Sequence, residues 1–260
     1  MSQESTHGEP IDASSSFEVL ASPRPENLVL DSGEIHIWST ELEPGDRTVA
    51  ELERLLTPDE VKRAYRFRFE HHQRRFIVGR GVLRRLLAGY LNQDPRDLRF
   101  LYGEKGKPSL PESLGLRFNL SHSETLALYA LSCDTELGVD VEQLRPMPDA
   151  EQIAERFFSV SERDTLRSIP SERKSEAFFN CWTRKEAYIK ATGDGLSMPL
   201  DRFDVTLAPE DEPRMLSAEG STEKAAHWSM RHLNPKPGYV GALAVPLRSY
   251  RLRCWEWREG

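Results

Sequence analysis

The period of apolar and polar positions changes several times along the chain, and the changes mark out its elements. Glu34-Ile35-His36-Ile37-Trp38 alternates with the two-residue period of a strand. Thr57-Pro58-Asp59-Glu60 has the cap, the first-turn proline and the third-position glutamate of a helix start. From Gln73 to Leu91, Phe76, Ile77, Leu83, Leu86, Leu87, Tyr90 and Leu91 form a helical stripe, which predicts a core helix with a basic back. Residues 95–102 predict a loop entering a short strand, and Gly103-Glu104-Lys105-Gly106-Lys107-Pro108 is turn chemistry carrying two lysines. Phe118-Asn119-Leu120-Ser121-His122-Ser123 then leads into a buried strand from Leu126 to Leu131.

Beyond it, Gly138-Val139-Asp140-Val141-Glu142 alternates again, and Ser159-Val160-Ser161-Glu162 makes a second capping box. Helical patterning continues, interrupted at Pro170, to about Ala191, and Gly193-Asp194-Gly195 ends it. Leu196 to Leu200 reads as a loop and Phe203 to Leu207 as a strand. Residues 208–226 show no pattern and read as an exposed excursion; Tyr239 to Val245 and Tyr250 to Trp257 read as closing strands. Residues 1–26, rich in Ser, Glu and Pro, predict a mobile tail.

The halves repeat this order. Glu34-Ile35-His36-Ile37 is followed 103 residues later by Leu137-Gly138-Val139-Asp140, the Thr57 cap 102 residues later by the Ser159 cap, and Arg80 lies 104 residues before Arg184. The expected fold is α+β, with two pseudo-symmetric α/β lobes and a cleft between them: a tail over 1–26, a first lobe over 27–136 and a second over 137–260.

Composition narrows the class. No apolar run approaches the ~20 residues of a membrane span, and a net charge of −7 argues against a general nucleic-acid binder. Cys133, Cys181 and Cys254 have neither close pairing nor metal-ligand spacing, which suits reduced thiols, and the first residues carry no secretory signal, so the expectation is a cytoplasmic protein, here taken as a monomer. Against the acidic balance, the stretch from Lys62 to Arg85 holds nine basic residues and one acidic residue, Glu70, which points to a local anion site.

Candidate chemistry gathers in two stretches. In Trp182-Thr183-Arg184-Lys185-Glu186-Ala187-Tyr188-Ile189-Lys190, helical spacing stacks Trp182, Glu186 and Lys190 on one face. Alone, the Glu-Lys pair also fits a surface ion pair worth ~0.3–0.5 kcal/mol. The strand period of 138–142 aims Asp140 and Glu142 at one side, so three carboxylates can converge, and hard oxygen ligands of this kind suit magnesium together with phosphate. Asn119, Ser121 and His122 fit an anion contact or ordinary turn capping equally.

Three blocks, Phe118-Asn119-Leu120-Ser121-His122-Ser123, Gly138-Val139-Asp140-Val141-Glu142 and Trp182 to Lys190, resemble the 4′-phosphopantetheinyl transferases of the surfactin-synthetase-activating (Sfp) type. The likeness extends to Arg75 and its helix, the Gly106-Lys107-Pro108 turn and the Gly195-Leu196-Ser197 loop, covering roughly residues 28–247. It implies an enzyme that moves the phosphopantetheine arm of coenzyme A onto a serine of an apo acyl or peptidyl carrier protein, releasing adenosine 3′,5′-bisphosphate. It further implies that Asp140, Glu142 and Glu186 hold Mg2+ on the pyrophosphate, that Glu186 accepts the serine proton, and that Lys190 faces the phosphates. Ser121, His122 and Arg75, with Lys62 or Arg63, would bind the coenzyme phosphates, and Gly106 and Lys107 would lie near the nucleotide. A non-catalytic coenzyme A or carrier-binding module is the alternative; it would keep a basic cleft but has no need of the acidic trio.

Overall fold

The computed structural model describes residues 28–193 and 198–259. The first half runs β1 (Glu34–Glu41), α1 (Asp46–Glu53), α2 (Pro58–Ala64), α3 (Glu70–Leu91), the hairpin β2 (Leu101–Tyr102) and β3 (Pro108–Ser109), β4 (Arg117–Ser123) and β5 (Leu126–Ser132). The second runs β6 (Gly138–Gln143), α4 (Ala150–Phe157), α5 (Val160–Ser168), α6 (Lys174–Thr192), β7 (Phe203–Val205), β8 (Met215–Ala218), α7 (Thr222–Ala225), β9 (Ser229–Leu233) and β10 (Tyr239–Val245). A final strand, β11 (Arg251–Glu256), returns to pair in parallel with β1.

The duplication is visible in the topology. One sheet has the order β11-β1-β5-β4 and the other β6-β10-β9, so β1-β5-β4 and β6-β10-β9 are equivalent antiparallel trios. Each lobe packs its long helix on its own sheet, and the sheets meet face to face, giving four layers: helix, sheet, sheet, helix. Strand alternation sorts the side chains among these layers. Trp38, Ala127, Tyr129 and Leu131 join α3 in one core, and Val240, Ala242 and Ala244 join α6 in another. Ile35, Ile37, Leu128, Val139, Val141 and Leu243 fill the core between the sheets. The central strands are therefore apolar on both faces, as strands covered on both sides must be.

Both predicted capping boxes form, at Thr57 with Glu60 and at Ser159 with Glu162. Each box glutamate is also clamped from the long helix of its lobe. Arg84 Nε donates to Glu60 Oε2 at 2.8 Å while its Nη1 donates to Pro95 O at 2.7 Å and Leu98 O at 3.3 Å. Lys185 Nζ lies 2.8 Å from Glu162 Oε2 and donates to Leu200 O at 2.7 Å and Phe203 O at 2.6 Å. Arg84 and Lys185 thus play the same part on the two long helices: a cation that locks the cap to the loop after its helix is a feature the two lobes share.

Three other expectations change. Residues 118–123 are themselves strand, paired along their length with β5. Residues 208–226 are not an excursion, because β8 pairs with β7 and Met215, Ala218 and Ala225 are buried in the second-lobe core. The core helix begins at Glu70, one turn before Gln73, with Asn92 closing it in the left-handed conformation at φ 49°. The predicted tail over 1–26 and the residues Gly195, Leu196 and Ser197 lie outside the described residues. No helix among the described residues is long and apolar enough to cross a membrane.

Candidate active site

β4 and β6 are the facing edges of the two sheets, and side chains of β4 stitch them where a backbone ladder is absent. Asn119, Ser121 and Ser123 alternate on one side of β4. Asn119 Oδ1 accepts from Val139 N at 3.0 Å, Ser121 Oγ donates to Asp140 Oδ1 at 2.7 Å, and Ser123 Oγ donates to Glu142 Oε2 at 2.8 Å. The polar block thus positions the acidic strand.

On its other flank β6 lies against α6, and Gly138 permits the approach. A Cβ there would sit 1.9 Å from Ala187 O and 2.5 Å from Ala191 N, both backbone atoms. With the strand this close, Lys190 Nζ reaches Asp140 Oδ1 at 2.7 Å and Val139 O at 3.3 Å. The same helix turns Trp182, Glu186, Ile189 and Lys190 toward the cleft, while Arg184 and Lys185 point into the second-lobe interior and are buried. The two faces of the Trp182–Lys190 segment therefore do different work: one builds the cleft and the other holds the lobe together.

The cleft encloses about 1030 Å³, room for a coenzyme-sized ligand. Asp140, Glu142 and Glu186 share its floor. Burial first, and the neighbouring Asp140 charge among the other causes, hold the carboxyls of Glu142 and Glu186 above their ordinary pKa. Asp140 is buried, and its Oδ2 has no hydrogen-bond partner. Among the described residues no group of three or more His, Cys, Asp or Glu side chains forms a ready metal cage; Lys190 already neutralises one Asp140 oxygen. For His122, which the strand leaves exposed toward the cleft, desolvation first and the Lys190 ammonium next hold the imidazole below its ordinary pKa.

The predicted cationic residues divide. Arg63 and Arg75 line the cleft, whereas Lys62 is exposed on α2 and is not among the lining residues. Of that pair only Arg63 lines the cleft, and its guanidinium lies 5.3 Å from the centroid of the Phe76 ring. Burial works against the Arg75 charge, but Glu43 and Glu124 outweigh it and hold the guanidinium above its ordinary pKa. Gly106, at φ 77°, makes the turn that brings Lys107 to the cleft. Lys107 Nζ donates to Lys190 O at 2.7 Å and to Glu136 at 3.2 Å, tying the first-lobe hairpin to the end of α6. Ser121, expected as a phosphate ligand, spends its hydroxyl proton on Asp140.

Arg80 was not singled out as a site residue. Its side chain is 9% exposed, it lines the cleft, and its Nη1 is buried without a partner while Nε lies 3.6 Å from Glu60. Its place one turn after Phe76 on the cleft face of α3 was the available signal, masked by the eight other basic residues of that stretch.

Comparison with known proteins adds to this geometry. Residues 136–244 match the 4′-phosphopantetheinyl transferase superfamily, and residues 40–134 match the 4′-phosphopantetheinyl transferase N-terminal family. The chain is 41% identical over 238 residues to the 4′-phosphopantetheinyl transferase HetI of Nostoc sp., covering 90% of this chain and 97% of that one. It is 32% identical over 152 residues to the 4′-phosphopantetheinyl transferase Sfp of Bacillus subtilis, covering 58% and 66%. A solved holo-(acyl-carrier-protein) synthase from Bacillus anthracis, in complex with CoA (3′,5′-ADP), superposes with a TM-score of 0.34 at 24% identity, covering 43% of this chain and 94% of that one.

Proposed function

This chain belongs to the 4′-phosphopantetheinyl transferase superfamily, and from that premise we propose that it transfers the 4′-phosphopantetheine group of coenzyme A to a serine of an apo carrier protein. The observation that carries the reading is the meeting of Ser121, Asp140 and Lys190 on one oxygen, beside Glu142 and Glu186, in a cleft edged by Arg63, Arg75 and Arg80. A binding module without turnover is not favoured, because placing three carboxylates together raises an electrostatic cost that binding alone does not require.

In this reading the serine oxygen forms a bond to the phosphorus that carries the pantetheine arm, the bond from that phosphorus to the bridging oxygen breaks, and adenosine 3′,5′-bisphosphate leaves with the electron pair. Glu186 takes the serine proton; its raised pKa brings the carboxylate nearer to matching that task. Lys190 offsets the charge that grows on the leaving phosphate, and Ser121 and Ser123 orient Asp140 and Glu142. Arg63, Arg75, Arg80 and His122 hold the coenzyme phosphates, with Gly106 and Lys107 near the nucleotide. The donor chemistry suits a magnesium ion, although the three carboxylates do not form a ready cage by themselves: Asp140 supplies a buried oxygen without a partner, and Glu142 and Glu186 supply further hard oxygens. Asp140, Glu142 and Glu186 would hold it, and when bound it neutralises charge on the pyrophosphate.

The carrier approaches, in this reading, over the mouth of the second lobe. Phe157 is 36% exposed and packs edge-on against Trp182, which lines the cleft, and Leu144 and Arg156 are exposed nearby. Phe158, by contrast, is core. We read the lobes as 27–136 and 137–260, with β11 crossing back as a clasp, and the enzyme as a monomer; the three free cysteines support a cytoplasmic location. The test is to incubate the protein with coenzyme A, magnesium and several apo-carriers and weigh the carriers. A gain of one phosphopantetheine, lost in Glu186→Gln, is expected; no gain on any carrier refutes the reading.

A further inference from the structure

Arg75 lines the cleft, yet carboxylates already hold both ends of its guanidinium. Nε donates to Glu43 Oε1 at 2.8 Å, Nη2 lies 2.8 Å from the same oxygen, and Nη1 donates to Glu124 Oε2 at 3.1 Å. The two acids are not equivalent. Glu43, in the turn between β1 and α1, touches Arg75 but does not itself line the cleft, whereas Glu124 lines it at the β4–β5 turn. Glu124 is also held at φ 46°, in the left-handed region that suits glycine and strains other residues. Its side chain is 54% exposed, against 19% for Arg75, so the carboxylate is free to swing out while the guanidinium stays.

We infer that Glu124 is a built-in competitor for the anion that Arg75 receives, while Glu43 is a positioning residue that aims the guanidinium into the cleft. This rests on the reading of the cleft as a coenzyme A site. A carboxylate tethered beside the cation acts at high effective concentration. It yields to a group carrying more charge and more acceptor oxygens than it offers, which a phosphate monoester does through paired contacts to arginine. With the ribose 3′-phosphate of coenzyme A taken as the anion that Arg75 receives, Glu124 tempers coenzyme affinity at that end of the ligand and leaves a coenzyme lacking that phosphate indifferent to it. The two acids act with opposite sign: removing the competitor tightens binding, and removing the positioner weakens it.

Calorimetric titration of the full chain with coenzyme A and with dephospho-coenzyme A tests this, using the wild type, Glu124→Gln, Glu124→Gly and Glu43→Gln. Both Glu124 variants are expected to bind coenzyme A about three- to fivefold more tightly, the upper end of the scale of one partly exposed ion pair released, with the dephospho form moved less than about twofold. Glu43→Gln is expected to bind coenzyme A more weakly. Glu124→Gly should also melt higher than Glu124→Gln because it relieves the turn, and a purely structural role would change melting without changing affinity. If the wild type binds coenzyme A but Glu124→Gln binds it no more tightly, or gains equally for both ligands, the role of Glu124 is overturned and the cleft reading stands. If the wild type binds neither ligand, the cleft reading itself falls and takes this inference with it.

Discussion

Gly138→Ala adds one methyl group at the point where β6 meets α6, and the structure sets the size of the effect. The new Cβ would lie 1.9 Å from Ala187 O where ordinary contact begins at 3.4 Å, a shortfall of about 1.5 Å against a backbone atom that cannot rotate away. Gly138 is not in the left-handed region, so the requirement is for space and not for conformational freedom. Overpacking of this kind costs ~1–3 kcal/mol, and contact with helix backbone argues for the upper end. The methyl group also removes unfolded-chain entropy worth ~0.4–1 kcal/mol, which offsets part of the loss. A net destabilisation of about 2 kcal/mol follows, or roughly 4–8 °C in melting temperature for a chain of this size. The catalytic effect is expected to be larger. Separating β6 from α6 moves Asp140 away from Lys190 and Glu186, and a misplacement of ~1 Å costs on the order of 10²-fold in rate. Urea denaturation read with turnover at a temperature where the variant stays folded separates the two losses. Gly241→Ala, whose Cβ would meet Asp140 O at 2.7 Å, should rank below it on both scales. A Gly138→Ala protein with parental stability and full turnover would refute the close-approach account.

Other expectations follow from charge and exposure. Glu142 and Glu186 keep their protons to higher pH in the folded chain than in the unfolded one, so the native state binds more protons above the ordinary carboxylate range. Stability without added magnesium should therefore fall as pH rises through that window, magnesium should flatten the slope, and Glu186→Gln should melt higher while losing turnover; a melting temperature that rises with pH there would contradict this. Lys185→Met strands the buried Glu162 carboxylate and should cost ~3–5 kcal/mol in urea denaturation, partly recovered by adding Glu162→Gln; an unchanged midpoint would show the pair to be unimportant. Arg156→Glu with Phe157→Ala should raise the carrier KM at low salt and leave coenzyme A affinity unchanged. Arg145 is left alone in that test because its guanidinium lies 3.8 Å from Glu142, and an unmoved KM would send the docking surface to the first lobe.

The local order of the chain was legible because it is written in short-range chemistry. Two capping boxes, alternating strands such as 138–142, and the glycine that closes α6 all follow from contacts within a few residues. The repeat of strand, capped helix, long helix and strands showed two lobes, and the alternation in β6 put Asp140 and Glu142 on one face. Sequence did not decide what depends on packing between distant segments. Met215 and Ala218 looked like loop because β8 is short and is stabilised by a core assembled from α6, β7 and β10. Lys185 and Glu186 are neighbours in the chain, yet rotation about the helix sends one into a buried clamp and the other into the cleft. Among nine basic residues near α3, charge alone could not separate Arg80 and Arg63 from Lys62; only the direction in which the folded helices point them does. Composition made a local basic patch expected, and the tertiary fold decides which of its cations line the cleft, because that requires fixed positions that no local pattern encodes.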